Sequence, residues 1–188
     1  MNLLKSNIFV IVLLLLTLNL KSQKNPLTQA ILSENYKKVN KLIEKKKFLV
    51  NQANSLKWTP LVYAVNLGND SIVELLITKG KANVNIVINT GETPLHIAAK
   101  KGYTKIAEIL IKNNAKIEVQ DLIRQTPLIS AVRANKYEVA KLLLKKGANP
   151  NHATSSKKTA IDWAIDKKMK ELLLKYNAKS YKELYEQY

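Results

Sequence analysis

Cysteine is absent from the 188 residues, which excludes disulfides, thiolate zinc sites, iron–sulfur clusters, a cysteine nucleophile and a lipidated cysteine anchor together. Histidine is almost as scarce. His96 and His152 stand 56 positions apart, so metal chemistry starts without a ligand pair. Glycine occurs five times and never closer than 11 residues to the next, so no glycine-rich phosphate cradle of either familiar spacing can be written. Arginine is confined to Arg124 and Arg133, although 31 basic side chains face 14 acidic ones for a formal charge of +17. Such a charge by itself points to nucleic acid, an anionic membrane surface or an acidic partner. Recognition of phosphate and guanine favours the planar fork of arginine, so a charge built almost wholly of lysine reads mostly as a solubilising background. With 46% hydrophobic residues, the chain has enough apolar surface to fold and is not a disordered tail.

What is present divides into an address and a repeat. Residues 1–7 carry one cation, Lys5, and no acid, and Ile8 to Leu20 follow as an apolar run broken only by Thr17 and Asn19. This is the layout of a signal peptide. Thirteen helical residues span about 20 Å, short of the ~30 Å hydrocarbon core. A signal peptide over 1–22, cut near Ser22, is therefore expected, with the mature chain periplasmic or secreted. Leu20 and Lys21 depart from the small-residue rule at a cleavage site, which leaves an uncleaved anchor open as the one route to a membrane.

The remainder repeats itself. Thr59-Pro60-Leu61, Thr93-Pro94-Leu95-His96 and Thr126-Pro127-Leu128 recur at spacings of 34 and 33, flanked by weaker copies at Asn25-Pro26-Leu27 and Thr159-Ala160-Ile161. In every copy an alanine follows at the same offset: Ala30, Ala64, Ala98, Ala131 and Ala164. Threonine or asparagine caps a helix, and proline fits the first turn because its missing N–H would be unpaired there. Leucine and the small alanine share one face, where a neighbouring helix can approach closely. Gly68 and Gly102 punctuate this first helix, and apolar sets such as Ile72, Val73, Leu75, Leu76 mark a second one running back. Gly80 and Gly147 are expected to end the second helix in a left-handed cap, followed by extended links such as Ala82-Asn83-Val84-Asn85.

Thr93-Pro94-Leu95-His96-Ile97-Ala98-Ala99, then Gly102, Ile109-Leu110-Ile111 and Asn114-Ala115, resembles the ankyrin repeat family, and the resemblance covers residues 24 to 178. It implies an all-α solenoid of about five helix-turn-helix units, joined by hairpin-like loops, with hairpin tips and first helices lining a concave binding face. The repeats fall at 24–56, 57–89, 90–122, 123–155 and 156–178, the whole domain occupying 23–178. Repeat 1 lacks the threonine and has Glu34 where glycine is usual, repeat 4 has Asn135 there, and repeat 5 is about three residues short. Residues 179–188 are expected to form a short helix, with Ser180 and Glu183 as a capping box and Tyr181, Leu184, Tyr185 and Tyr188 on one face. That face either covers the open end of the array or docks a partner.

No residue pattern carries catalysis. His96 occupies the family's motif histidine, where the resemblance implies a bond from helix to hairpin backbone, and His152 is expected in solvent. Asp162 and Asp166, four apart on one expected helix face among lysines, read as surface charge pairs. The resemblance implies binding through residues just before each motif threonine: Leu56 and Trp58, Thr90 and Glu92, Ile123 and Gln125, and Lys158. It adds the ends of the first helices: Asn66, Lys100, Lys101 and Arg133. Trp58 is the expected anchor, being a large amphipathic ring on a hairpin, whereas Trp163 is expected in the core. The expected function is a non-enzymatic scaffold for an unknown, acidic protein partner, monomeric and without cofactor, metal or nucleic acid. The alternative is an anionic polymer or membrane surface bound through lysine clusters.

Overall fold

The computed structural model describes residues 25–185, so the expected signal peptide over 1–22 and Tyr188 lie outside the described residues. Within them the chain is helical, and no strand is present among the described residues. Five helix pairs follow one another: α1 (Pro26–Leu32) with α2 (Tyr36–Lys45), α3 (Pro60–Leu67) with α4 (Asp70–Thr78), α5 (Pro94–Lys101) with α6 (Thr104–Lys112), α7 (Pro127–Arg133) with α8 (Tyr137–Lys145), and α9 (Ala160–Trp163) with α10 (Lys167–Lys175). A last short helix, α11 (Tyr181–Tyr185), closes the described chain. A 3-10 turn, Lys47–Asn51, extends the first repeat and buries Leu49 and Val50.

The first helices begin where the sequence places them. Thr59 and Thr126 each accept from the N–H three residues on at 3.4 Å, and Asn25 accepts from Leu27 N–H at 2.8 Å. The proline after each of these caps costs no hydrogen bond. Leu27, Leu61, Leu95 and Leu128 are at most 1% exposed, and Ala30, Ala64, Ala98 and Ala131 are fully buried. The alanine column lets successive first helices pack closely, because no long side chain stands between them. The left-handed residue after each of the first four first helices is Glu34, Gly68, Gly102 or Asn135, with φ between 50° and 81°, so all four repeats turn alike despite the missing glycines.

The second helices end differently from expectation. The left-handed positions there are Lys81, Asn114, Gly147 and Asn177, so Gly147 is as expected but Gly80 is not the cap. Gly80 is needed for space: a Cβ there would lie 2.6 Å from the Leu76 carbonyl oxygen and 3.2 Å from Val50 Cγ1. In the last repeat, Ala164 leaves the helical region (ψ 116°) and α9 stops after one turn. Asp162 and Asp166 therefore do not share a helix face. Asp162 Oδ2 accepts from Thr159 N–H at 2.9 Å and from Tyr181 N–H at 2.8 Å, and Asp166 caps α10 through Lys168 N–H at 3.1 Å. Both carboxylates cap backbone; neither is a lysine pair. His152 is half-buried and paired with Glu118 at 2.6 Å, against the expectation of a solvent-exposed ring.

Asparagines in the links bracket each repeat to the next. Asn85 donates to the Asn114 carbonyl at 3.0 Å and accepts from Lys116 N–H at 2.8 Å. Asn151 does the same with the Asn177 carbonyl and Lys179 N–H, and Asn51 with the Lys81 carbonyl and Asn83 N–H. An amide offers a donor and an acceptor side by side, which a carboxylate cannot. Glu118 at the equivalent place only accepts, from Asn149 N–H at 3.1 Å, and its other oxygen meets His152. Replacing Asn85 with alanine should cost about 1–2 kcal/mol, read as a lower urea midpoint with unchanged slope.

His96 ties helix to hairpin. It is 0% exposed; Nδ1 accepts from Thr93 N–H at 3.1 Å, and Nε2 lies 3.0 Å from the Gln125 carbonyl oxygen. An accepting Nδ1 and a carbonyl facing Nε2 require the neutral ring with its proton on Nε2. Burial holds its pKa below the usual histidine value, against the opposing pull of the Gln125 carbonyl. The unfolded state thus takes up a proton that the folded state refuses, so this contribution is complete above the unfolded pKa of about 6.5 and is lost as pH falls below it. The urea midpoint should drop between pH 7 and 5 in the native chain, and His96→Gln, which retains a capping-box residue, should flatten that slope.

Candidate protein-binding face

Ahead of four of the motif threonines stands a five-residue finger: 54–58, 88–92, 121–125 and 154–158. In each the first N–H donates to the fifth carbonyl, at 3.1 Å (Asn54 to Trp58), 3.0 Å (Ile88 to Glu92), 2.9 Å (Asp121 to Gln125) and 2.9 Å (Thr154 to Lys158). Asn54 Oδ1 also accepts from Leu56 and Trp58 N–H at 2.9 Å each, and Asp121 Oδ1 from Ile123 and Gln125 N–H at 3.0 and 2.8 Å. A short polar side chain bonding two residues on is the turn signal of asparagine and aspartate. It recurs five residues before the motif threonine, where the sequence reading overlooked it. Neighbouring fingers are stitched by single backbone bonds: Asn89 N–H to the Leu56 carbonyl, Leu122 N–H to Thr90, and Ser155 N–H to Ile123, at 3.3, 3.3 and 3.1 Å.

The fourth finger residue is left-handed throughout. Gly91 (φ 82°) has no alternative, since a Cβ would lie 2.5 Å from Leu122 N. Lys57, Arg124 and Lys157 adopt the same region at φ 55–60°, a conformation that is unfavourable for a residue with a Cβ. Three cations thus occupy strained tip positions where glycine would sit without cost.

Six of the expected binding residues converge. Thr90, Glu92, Lys100, Ile123, Gln125 and Arg133 line one open groove of about 550 Å³, together with Asp121, Leu122, Ser130 and Ala134. Two pairs cross from finger to helix end. Lys100 Nζ lies 3.8 Å from Glu92 Oε1, and Arg133 donates to Gln125 Oε1 at 2.7 Å. Thr90 Oγ1 donates to Glu92 Oε2 at 2.9 Å. The finger tip above is apolar, with Leu122 74% and Ile123 52% exposed. Gln125 is buried at 7% exposure, so it braces Arg133 and His96 and offers no surface of its own. Lys101 is exposed at the end of α5 but does not line this groove.

Leu56 and Trp58 on the first finger and Asn66 near the end of α3 do not line this groove. Leu56 is exposed and Asn66 half-buried. Trp58 packs edge-on against Tyr63, ring centres 5.1 Å apart at 66°, and Asn54 Nδ2 donates to the Tyr63 hydroxyl at 3.0 Å. The ring is half-buried, so its packing against the finger and its open edge coexist.

Trp163 packs against the core, as expected, but only in part. It is half-buried, with Arg133 Cζ 4.3 Å and Lys158 Nζ 4.5 Å from its ring centre. The expected core tryptophan therefore belongs with two of the expected binding residues. The fourth residue after each motif threonine forms one column, Tyr63, Ile97, Ser130 and Trp163, and its two aromatic ends are the half-exposed ones. Aromatic residues at the ends of that column were the available signal. None of these groups forms a nucleophile with an adjacent base, and no cluster of three or more His, Asp or Glu placed to hold a metal occurs among the described residues. The arrangement is suited to contact. Lys57→Gly and Arg124→Gly should each raise stability by about 0.5–1 kcal/mol, the relief of the tip exceeding glycine's added chain entropy, and thermal melts would register it.

Five capped helix pairs, a left-handed turn after each of the first four first helices, and stitched fingers ahead of four of the motifs constitute the repeat that the sequence spacing announced. No curated protein matches the chain. A family model described as ankyrin repeats (3 copies) matches residues 27–121 and 115–183, most of the 188 residues, and the chain belongs to the ankyrin repeat family.

Proposed function

We propose that the chain is an exported, non-enzymatic scaffold that holds a protein partner through the concave face formed by fingers and first helices. Ankyrin repeats generally mediate protein–protein binding, and the observation that carries the reading here is the groove between the second and third fingers. Exposed Leu122 and Ile123 at its rim and the polar pairs Glu92–Lys100 and Gln125–Arg133 across it combine an apolar anchor with groups that fix orientation. The fingers are held by hydrogen bonds before any partner arrives, so docking immobilises little. The lysines steer an acidic partner at long range, the signal-like segment at 1–22 delivers the chain to the periplasm or beyond, and the scaffold acts as a monomer.

The test is affinity capture from an envelope extract with the mature chain, in parallel with Trp58→Ala/Glu92→Ala and Leu122→Ala/Ile123→Ala. Both double variants should keep the native circular dichroism, and binding should fall at least tenfold. Unchanged recovery with folded variants would remove the face assignment. Loss of all binding between 50 and 200 mM salt, with only anionic polymer or lipid recovered, would favour the alternative partner. N-terminal sequencing of the same material, reading from Gln23, checks export.

A further inference from the structure

The corner where the last two repeats meet contains more positive charge than the fold uses. Arg133 at the end of α7 and Lys158 at the foot of the fourth finger both lie against the Trp163 ring, at 4.3 and 4.5 Å from its centre. The two charges are therefore no more than about 9 Å apart. Among the described residues neither has a carboxylate within ion-pair distance. Arg133 donates only to the neutral Gln125 amide, and Asp162, the nearest acid in sequence to Trp163, is taken up by the Thr159 and Tyr181 N–H groups. A second observation is independent of the first. Trp163 Nε1 is buried and makes no hydrogen bond, alone among the buried side-chain polar atoms of the described residues. An unpaired donor of that kind is costly wherever it persists.

Two cations without a counter-charge and an indole N–H without an acceptor are complemented by one chemistry. We propose that this corner is a carboxylate-binding subsite, taking an Asp or Glu side chain from an acidic segment of the protein partner. The inference rests on the protein-binding reading and deepens it. A carboxylate has two oxygens: one satisfies the guanidinium and ammonium, and the other is available to Nε1 once the cations have shifted from the ring toward it. The exposed side chains of both cations permit that shift. Unlike the groove beside it, the corner uses no apolar rim, so it selects charge where the groove selects shape.

The probe is a blocked hexaglutamate peptide added to the full chain carrying Trp58→Phe, in which Trp163 is the remaining indole. Its emission should change saturably with peptide at 50 mM salt and not with hexaglutamine. Arg133→Gln/Lys158→Gln should weaken the peptide at least tenfold, while Lys45→Gln/Lys145→Gln, at the ends of second helices, should alter it less than twofold. Circular dichroism of both pairs verifies folding, and Arg133→Lys, which keeps the charge, should restore part of the loss relative to Arg133→Gln. Silent emission, equal weakening by both pairs, or the same response to inorganic phosphate at equal concentration would each overturn the assignment. Partner capture that depends on Trp58 while Trp163 stays silent would leave the binding face standing and remove only this subsite.

Discussion

Everything in this molecule depends on a helix pair being apolar on two sides. The alanine-and-leucine face of each of the first four first helices is buried, yet a single pair has nothing to cover it, so burial is supplied by neighbouring repeats. Apolar burial supplies the energy and is indifferent to exact register. Register comes from polar brackets: Asn51, Asn85 and Asn151 each clasp a carbonyl and an N–H of the next link, and His96 fastens α5 to the following finger. The two ends need other solutions. At the start, Asn25 caps α1 and also donates to the Leu49 carbonyl in the 3-10 turn. At the close, Asp162 joins the start of α9 to the start of α11.

The tail helix follows from the same constraint. Ser180 and Glu183 exchange their capping bonds at 2.6 and 3.2 Å, and Thr159 donates to the Lys179 carbonyl at 2.7 Å. The helix is therefore tied to the last repeat through polar groups. Its side chains are not buried: Tyr181 and Leu184 are half-exposed, Tyr185 is 61% exposed, and the two tyrosine rings lie 4.7 Å apart. A cap that buried its apolar face would look different. This one is held mainly by side chains of the array that bond its backbone, Asp162 at Tyr181 N–H and Thr159 at the Lys179 carbonyl, leaving the aromatic pair at the surface.

Thr-Pro-Leu and its alanine were legible because each satisfies a local rule: a cap, a permitted proline, a small residue at a close approach. Glu34 and Asn135, which the sequence shows only as departures from the usual glycine, adopt the left-handed conformation all the same, because position in the repeat dictates it. Gly80 misled because glycine beside a helix end suggests a left-handed cap, whereas here the neighbouring Val50 side chain and Leu76 carbonyl exclude a Cβ. The Leu76 carbonyl belongs to the helix that Gly80 follows, but the Val50 side chain comes from another repeat and leaves no trace in local spacing. His152 was misplaced for a similar reason, and the cations over Trp163 were missed for the same one. Glu118 reaches His152 across a repeat boundary, as Arg133 of one repeat reaches Trp163 of the next. The six groove residues lie together because repeat position alone brings them together. Whether each presents or braces, as Gln125 does, depends on the individual side chain.

Stacking at a fixed spacing separates the positions that hold the array from those that are free to vary. Motif positions and the alanine column are buried in successive repeats and share chemistry, while the residue before the motif threonine runs Trp58, Glu92, Gln125, Lys158, with no two alike. Because these residues stand on fingers whose backbone bonds are identical from repeat to repeat, changing the side chain does not change the scaffold. The tip residues Lys57, Arg124 and Lys157 show the converse. They hold cations in a conformation suited to glycine, so the fold bears a local cost at three equivalent surface positions that glycine would remove. The burden is tolerable because burial in five repeats is shared along the array, whereas each tip strains only its own finger.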